Sequence, residues 1–491
     1  MKVFINNRFT LWKLLSICIA FLLSSCDKFL EEPVDGRTAI SIISDMEKVL
    51  NSIHPLSDHH FTDLMTDDYM SKSIAGHVVR TVEEQLLPIF SLAITKESFP
   101  NSSFLLAGFN PNTAFRRYYY NIHNATFLLD RTNSFVPNNE IDTKKIQNIR
   151  SKALAIRAYS HFMLVNLFGP QYNETTSVTD LAMPYIDKYY PEAVVNFPRE
   201  TVKKIYDGIE SDLLTALELA PQSEENGLLE PFSFSRKAIL ALFSRFYLHK
   251  KDWDKCLKYS NELLVSRSAP LNVTGLRTAS GNNHDKFSLD YFKPDNQAYI
   301  MMGNNTYQLI GYFFHGFYPD PIRAFISSYG ADPSNNLFIQ TSPLFNDFIP
   351  MKYLYFYSLD KRNMNMPIFT VDEVMFNKAE SIIQKNNGPS DESSIILRKL
   401  MEAQQMRTPM INTRMQEFIE SGSANAAILK VLDLKRVRFF SEGMRWFDMR
   451  RLGLPLSHKL PSGDEIIIDG KNPEDYVIKL PQEEISNNIG L

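Results

Sequence analysis

The sequence predicts a mostly α fold, a scaffold of paired helices that carries one large loop-rich insertion and few short strands. Three observations lead there. Apolar residues recur at helical spacing through about 38–265 and again through about 370–455. Between them, Ser268 to Pro367 is rich in Asn, Gly, Pro and isolated aromatics and keeps no long helical period. Successive helices are joined by short turns, so each pair must bury its apolar face on its neighbours, as tetratricopeptide-like stacks do.

The chain has 491 residues and opens with Lys2, Arg8 and Lys13, then the apolar run Leu14 to Leu23. That run is about half a membrane span, which gives it the proportions of a secretory signal. Leu23, Ser24, Ser25 and Cys26 together resemble a bacterial lipoprotein box, in which cleavage precedes the cysteine and acyl chains are added to it. Residues 1–25 then form the signal peptide and 26–491 a single domain, tethered by several acyl chains as durable anchoring requires. Removing the signal moves the formal net charge from −4 to −7, which argues against a nucleic-acid partner. With Cys18 in the signal and Cys26 lipidated, only Cys256 remains. One thiol makes neither an internal disulfide nor a thiolate metal cluster, and its helical setting marks a small core residue.

Taken in order, "GRTAISIISDMEKVLNSIH" reads as a helix with apolar spacing at Ile43, Met46, Val49 and Leu50. A second helix begins near Phe109, with Phe115, Tyr119, Ile122, Ala125 and Leu129 close to one stripe. The third runs from about Asp142 to Phe168, where Gly169 and Pro170 close it. A fourth spans Thr201 to about Leu219, and "SRKAILALFSRFYLHKKDWDKCLKYSNELL" divides at Lys250 to Asp252 into two helices. Helical character returns in "TVDEVMFNKAESIIQKNN", "DESSIILRKLMEAQQMRTPM" and "AAILKVLDLKRVRFFSEGMRWFDMRRLG" before an extended end, "EDYVIKLPQEEISNNIGL".

Catalytic signatures are absent: there is no G-x-S-x-G, phosphate-binding loop, dinucleotide glycine pattern or H-E-x-x-H. No catalytic residue, cofactor or metal ligand is assigned. "HPLSDHH", His54 to His60, reads as a solvated loop, and Asp67, Asp68, Glu373 and Glu380 as surface or capping carboxylates rather than a glycosidase pair. "KRVRFFSEGMRWFDMRRLG" reads as one helix in which Arg436, Glu442, Arg445, Asp448 and Arg451 form a scaffold network among aromatics, with Gly443 allowing close backbone approach.

These pieces, in their order, resemble the SusD/RagB family, lipoprotein partners of TonB-dependent outer-membrane transporters in Bacteroidetes. "RVRFFSEGMRWFDMRRLG" is similar to the family signature at Gly443, Arg445, Trp446, Asp448, Arg451 and Gly453, with Met449 where Leu is common and Phe439 where a polar residue is usual. Further matches are Arg157, Ala158, Phe162, Leu167 and Gly169 in one helix, Tyr206, Ile209, Asp212 and Leu213 in the next, "SRKAILALFSRFYL" with Trp253 and with Cys256 where Ala is usual, the acidic pair of "LMTDDYM", and the closing "IKLPQEEI", where Lys479 departs from the pattern. The resemblance implies helical pairs forming a platform, a loop-rich face that binds nutrient, and a cap on a SusC-like transporter at the outer surface of the outer membrane.

The ligand face is expected over about 60–108 and 268–367, where aromatic rings can stack on sugars while polar side chains bond hydroxyls. The candidate contacts are Asp67, Tyr69, Phe99, Phe104, Tyr291, Tyr299, Tyr307, His315 and Tyr318. The chain has 35 Phe and 22 Tyr but three Trp, and Trp12, Trp253 and Trp446 all fall outside this face. An oligosaccharide is the expected ligand, and a peptide held along extended loops is the alternative. A surface hydrolase and a purely structural partner of the transporter are the readings from other classes.

Overall fold

The computed structural model describes residues 42–53, 58–69, 91–92, 95–99, 110–191, 196–222, 230–306, 320–329, 338–342, 347–353, 355, 363–404, 406–459 and 464–488. The signal and Cys26 lie outside them, as do Phe104, Tyr307, His315 and Tyr318.

Helix α1 (Ile43–Ser52) precedes the long pair α2 (Pro111–Ser134) and α3 (Glu140–Phe168), followed by α4 (Val202–Leu219). The pair α5 (Arg236–Lys250) and α6 (Trp253–Ser266) turns at Lys251, whose φ of 61° lies in the left-handed region. After the insertion come α10 (Val371–Asn386), α11 (Asp391–Ala403), α12 (Thr408–Ile419) and α13 (Ala424–Arg438). Successive helices pack on one another through this series, and α10 also packs on α6, which carries the stack across the insertion. The fold is the expected mostly α scaffold of tetratricopeptide-like pairs with few short strands.

Helix α3 is the centre of the stack. Every residue from Ala153 to Phe168 is buried, because α2 and α4 cover opposite sides of it. Asn139 caps its start by accepting the Asp142 N–H at 2.8 Å, which satisfies an orphan donor of the first turn. The polar residues on so enclosed a helix need internal partners. Arg157 forms a bidentate pair with Asp212 of α4, at 2.7 and 2.6 Å. Between α5 and α6, Phe243 stacks on Tyr259 with ring centroids 4.1 Å apart. Ser244 and Ser260 meet at 2.8 Å, and the thiol of buried Cys256 lies 3.3 Å from the Ser244 carbonyl. Small residues at this crossing let the helices approach closely, so Cys256 is the core residue its spacing implied.

The insertion is more helical than its composition predicts. It holds α7 (Val273–Ser280), α8 (His284–Tyr291) and α9 (Asp320–Tyr329) besides β1 (Tyr299–Thr306), β2 (Phe338–Ser342), β3 (Asp347–Pro350) and β4 (Asn363–Thr370). Two of the asparagines that read as loop signals are caps: Asn272 accepts from Gly275 N–H at 2.8 Å and Asn283 from Lys286 N–H at 2.9 Å. Strands β1 and β4 pair antiparallel, Gly303 opposite Met366, and β2 pairs with β3.

The C-terminal signature is not one helix. It breaks after α13 at a turn with φ of 60° at Ser441 and 74° at Gly443, and resumes as α14 (Arg445–Leu452). A Cβ on Gly443 would lie 2.8 Å from the His59 ring, so glycine is required there by backbone shape and by space. The end of the chain is more than an extended piece. Strands β5 (Leu456–Lys459) and β6 (Glu465–Ile468) form a hairpin, and α15 (Gln482–Asn487) follows. The extended stretch between them docks on α3, where Ile478 N–H donates to the Leu167 carbonyl at 3.0 Å.

Fully buried His161 on α3 supplies a pH test. Its Nδ1 lies 3.0 Å from the Arg157 carbonyl, and the Ile186 N–H donates to its Nε2 at 3.1 Å, so the ring is neutral with its proton on Nδ1. Burial first, then the Arg157 charge, lower its pKa to about 3. The unfolded ring takes up a proton near pH 6.5 while the native ring does not, so stability falls as pH falls below that value. The cost is about 1.4 kcal/mol at pH 5.5 relative to pH 7.5. His161→Gln should therefore lose less apparent Tm between those two pH values than the wild type; an equal loss removes His161 as a source.

Candidate functional site

The described part of the predicted ligand face is built on buried ion pairs. Residues 58–69 form a turn containing a 3-10 segment, His60–Met65, that is seated against the break between α13 and α14. Asp63 accepts the Gly443 N–H at 2.8 Å, Tyr69 shares a hydroxyl hydrogen bond with Ser441 at 2.9 Å, and His458 Nε2 lies 2.9 Å from the Tyr69 carbonyl. His59 and His60 are buried, stacked 4.9 Å apart, rather than solvated as their polar setting suggests. Helices α8 and α13, the turn after α13, and the segment Met351–Tyr353 share a second cluster. Arg438 donates to Asp372 at 2.6 Å and to the Tyr291 hydroxyl at 2.9 Å, and Tyr291 and Lys352 donate to Glu442 at 3.0 and 2.5 Å. Burial raises and the Lys352 and Arg438 charges lower the Glu442 pKa, and the charges prevail.

A third cluster secures α14. Arg451 forks onto Glu380 and also donates to Asp448 at 2.9 Å, which Lys435 reaches at 2.9 Å. Burial opposes ionisation of Asp448, but Lys435 and Arg451 hold its pKa down to about 2. Arg245 of α5 forks onto Glu373, and Arg450 bonds Asn166 at 3.0 Å. The carboxylates Glu373, Glu380 and Asp68 are thus buried ion-pair partners, not surface or capping groups.

Of the predicted contacts, Tyr69, Phe99, Tyr291 and Tyr299 are inside the protein, at 3, 4, 4 and 1 % exposure. The Tyr299 hydroxyl is spent on the Tyr291 carbonyl, and the Phe99 carbonyl on Asn112 at 3.1 Å. These rings lie beneath the surface of this structure. Asp67 differs: its side chain is 31 % exposed while it holds Arg445 at 2.7 and 2.8 Å and Arg436 at 3.2 Å. Arg436 also lies 4.9 Å above the ring of half-buried Phe325 of α9. The two predicted ligand regions, 60–108 and 268–367, therefore meet at Arg436. Sequence reasoning missed Phe325, Lys352, Asp372 and His59. Arg245, set inside the wholly apolar "AILALFSRFYL", was the available sign that buried carboxylates must exist elsewhere.

A second concavity is an open cleft of about 790 Å³, floored by Phe168, Pro170, Ile478 and Leu480 and edged by Asp180 and Arg199. Among the described residues, no group of three or more His, Cys, Asp or Glu is placed to hold a metal ion.

The helical pairs stacked across an insertion place the chain among proteins of SusD-like fold. Residues 28–248 match the SusD-like family described as "Starch-binding associating with outer membrane". The fold is similar to a putative sugar-binding protein of Bacteroides vulgatus, at 17 % identity and a TM-score of 0.69 over 92 % of this chain and 98 % of that one. It is also similar to a SusD superfamily protein of Bacteroides thetaiotaomicron, at 17 % identity and 0.67 over 91 % and 98 %. A laminarin-binding SusD-like protein follows at 14 % and 0.59 over 84 % and 91 %. No curated protein matches the chain by sequence. The protein is SusD-like in fold over most of its length and in sequence over residues 28–248, so the resemblance to the SusD/RagB family holds.

Breaking a fully buried pair leaves an uncompensated charge, so Asp372→Ala should cost about 3–5 kcal/mol. Thermal unfolding should show a far larger loss than Asp45→Ala, whose partner Lys48 is 76 % exposed. Similar losses would show that the Arg438 cluster does not secure the fold.

Proposed function

We propose that the protein is a cell-surface glycan-binding lipoprotein that captures oligosaccharide and delivers it to a partner TonB-dependent outer-membrane transporter. The observation that carries this reading is the fold, which the chain shares over most of its length with a putative sugar-binding protein and a laminarin-binding one. The family description over residues 28–248 supports the same role. In this reading the anchor is lipid on Cys26; among the described residues no helix is long and apolar enough to cross a membrane.

The site is assigned to the loop-rich face. Asp67, Arg436 and Phe325 offer a carboxylate, a guanidinium and a ring at a place solvent reaches, the combination that hydroxyls and an apolar sugar face require. Tyr307, His315, Tyr318 and Phe104 complete the contact set in this reading. Capture needs no bond-making chemistry, in keeping with carboxylates committed to arginines rather than poised as an acid and base.

Calorimetry of mature residues 27–491 against a panel of host and plant glycans and a mixed peptide digest tests the reading. Saturable heat with one glycan class is expected, with Tyr307→Ala or Tyr318→Ala weakening affinity about tenfold, the worth of a stacked ring. Tyr291→Ala and Tyr299→Ala should lower stability instead. Heat with peptides alone transfers the protein to the peptide-binding alternative, and affinity lost in Asp180→Ala but kept in Tyr318→Ala moves the site to the open cleft. Turnover of the oligosaccharide would reject simple capture.

A further inference from the structure

A small internal cavity lies where the early turn, α3, α5, α10, α13 and α14 converge. Its wall includes His59, Arg245, His249, Asn377, Lys435 and Asp448, completed by apolar side chains such as Phe162 and Phe447. The space open to the centre of a water-sized sphere is about 20 Å³. One water needs about 10–15 Å³ by that measure, so the cavity admits a molecule of that size and no sugar or side chain.

Two buried polar atoms of this wall are left without a partner, His59 Nδ1 and Asn377 Oδ1. Both residues are more than nine-tenths buried, at 4 and 1 % exposure. Leaving either group dry costs about 1–3 kcal/mol, and buried groups are paired as a rule. The Asn377 amide has already used its nitrogen on Ser244 Oγ at 3.1 Å, so its oxygen needs a donor. If the amide is turned over, its nitrogen is the orphan and needs an acceptor instead.

The charges in the wall leave no demand for an ion. Arg245 is paired with Glu373 and Lys435 with Asp448. Burial, then the neighbouring charges of His60 and Arg245, keep His59 neutral, and burial with Arg451 does the same for His249. Asp63 and Lys352 belong to the adjoining clusters and carry their own hydrogen bonds. The two unpaired groups call for a neutral molecule that both donates and accepts.

We infer that this cavity is a binding site for one structural water that bridges His59 of the early turn to Asn377 of α10. Water alone matches both the size and either setting of the amide, since it can donate to one group while accepting from or donating to the other. Its place is behind the Gly443 turn, on which the His59 ring rests, so it adds a link from His59 to α10 beside the direct bonds that Asp63, Asp67, Asp68 and Tyr69 make to the scaffold.

Crystallography of the mature wild-type protein, at a resolution that orders internal solvent, tests the site. One ordered peak of water strength within hydrogen-bond distance of both His59 Nδ1 and the Asn377 amide is expected. An empty cavity in a map that shows other buried waters overturns the inference, as does a peak with the density or coordination of an ion. Asn377→Leu supplies the second arm: the peak should vanish with the fold intact, and a peak that persists unchanged overturns the bridge. Should that variant not fold, magnetisation transfer from water to the wild-type His59 ring decides, with a long-lived contact expected and its absence counting against the site.

Discussion

Burial of guanidinium groups is the constraint on which the rest of the structure depends. Arg438 is fully enclosed, and Arg245, Arg450 and Arg451 nearly so. An unpaired charge in such surroundings costs several kcal/mol, so each arginine dictates where a partner must stand. Most of those partners come from remote segments, Asp372, Glu373 and Glu380 from α10 and Asn166 from α3, while Asp448 stands three residues from Arg451 on α14 itself. Helix α10 is thereby held against both α5 and the C-terminal signature, closing the stack across the insertion. The pairs do not need to add much net stability to do this, because their directionality selects one arrangement among those apolar packing would allow.

The same constraint shapes the proposed ligand face. The early turn reaches the scaffold through Asp67, Asp68, Asp63 and Tyr69, all anchored on the segment between Arg436 and Arg445. The insertion arrives from the other side through Tyr291, Lys352 and Tyr353, which meet Glu442 and the Ser441 carbonyl. The break between α13 and α14 is therefore a shared seat: its left-handed residues expose backbone groups that a continuous helix would have used internally. A binding surface assembled from separate loops needs such a seat if its contacts are to be held in place before a ligand arrives.

Much of the scaffold was legible because helical periodicity is a local property. The boundaries at Phe168, Leu219, Lys250 and Trp253 follow from glycine, proline and turn residues adjoining apolar stripes, and the structure places them within a residue or two of the expected positions. The short helices α7 and α8 were hidden because asparagine signals a loop and a helix cap alike, and eight residues are too few to establish a period. The break at Ser441 was hidden because only Gly443 marks it, while helix formers lie on both sides.

The burial of Tyr69, Phe99, Tyr291 and Tyr299 was hidden for a related reason. Tyr291 stands beside polar residues in the sequence, yet Lys293 faces outward while the Tyr291 ring turns inward to serve Arg438 and Glu442, and Tyr299 spends its hydroxyl on the Tyr291 carbonyl. By itself the sequence determined the helical stack, the buried thiol of Cys256 and the resemblance carried by the C-terminal signature, since each depends on spacing along the chain. Only the tertiary structure decided which carboxylates pair with which arginines, that the early histidines are enclosed, and that Asp67 and Phe325 converge on Arg436. Burial and ion pairing depend on what distant segments bring together, and no local pattern of residues encodes that distance.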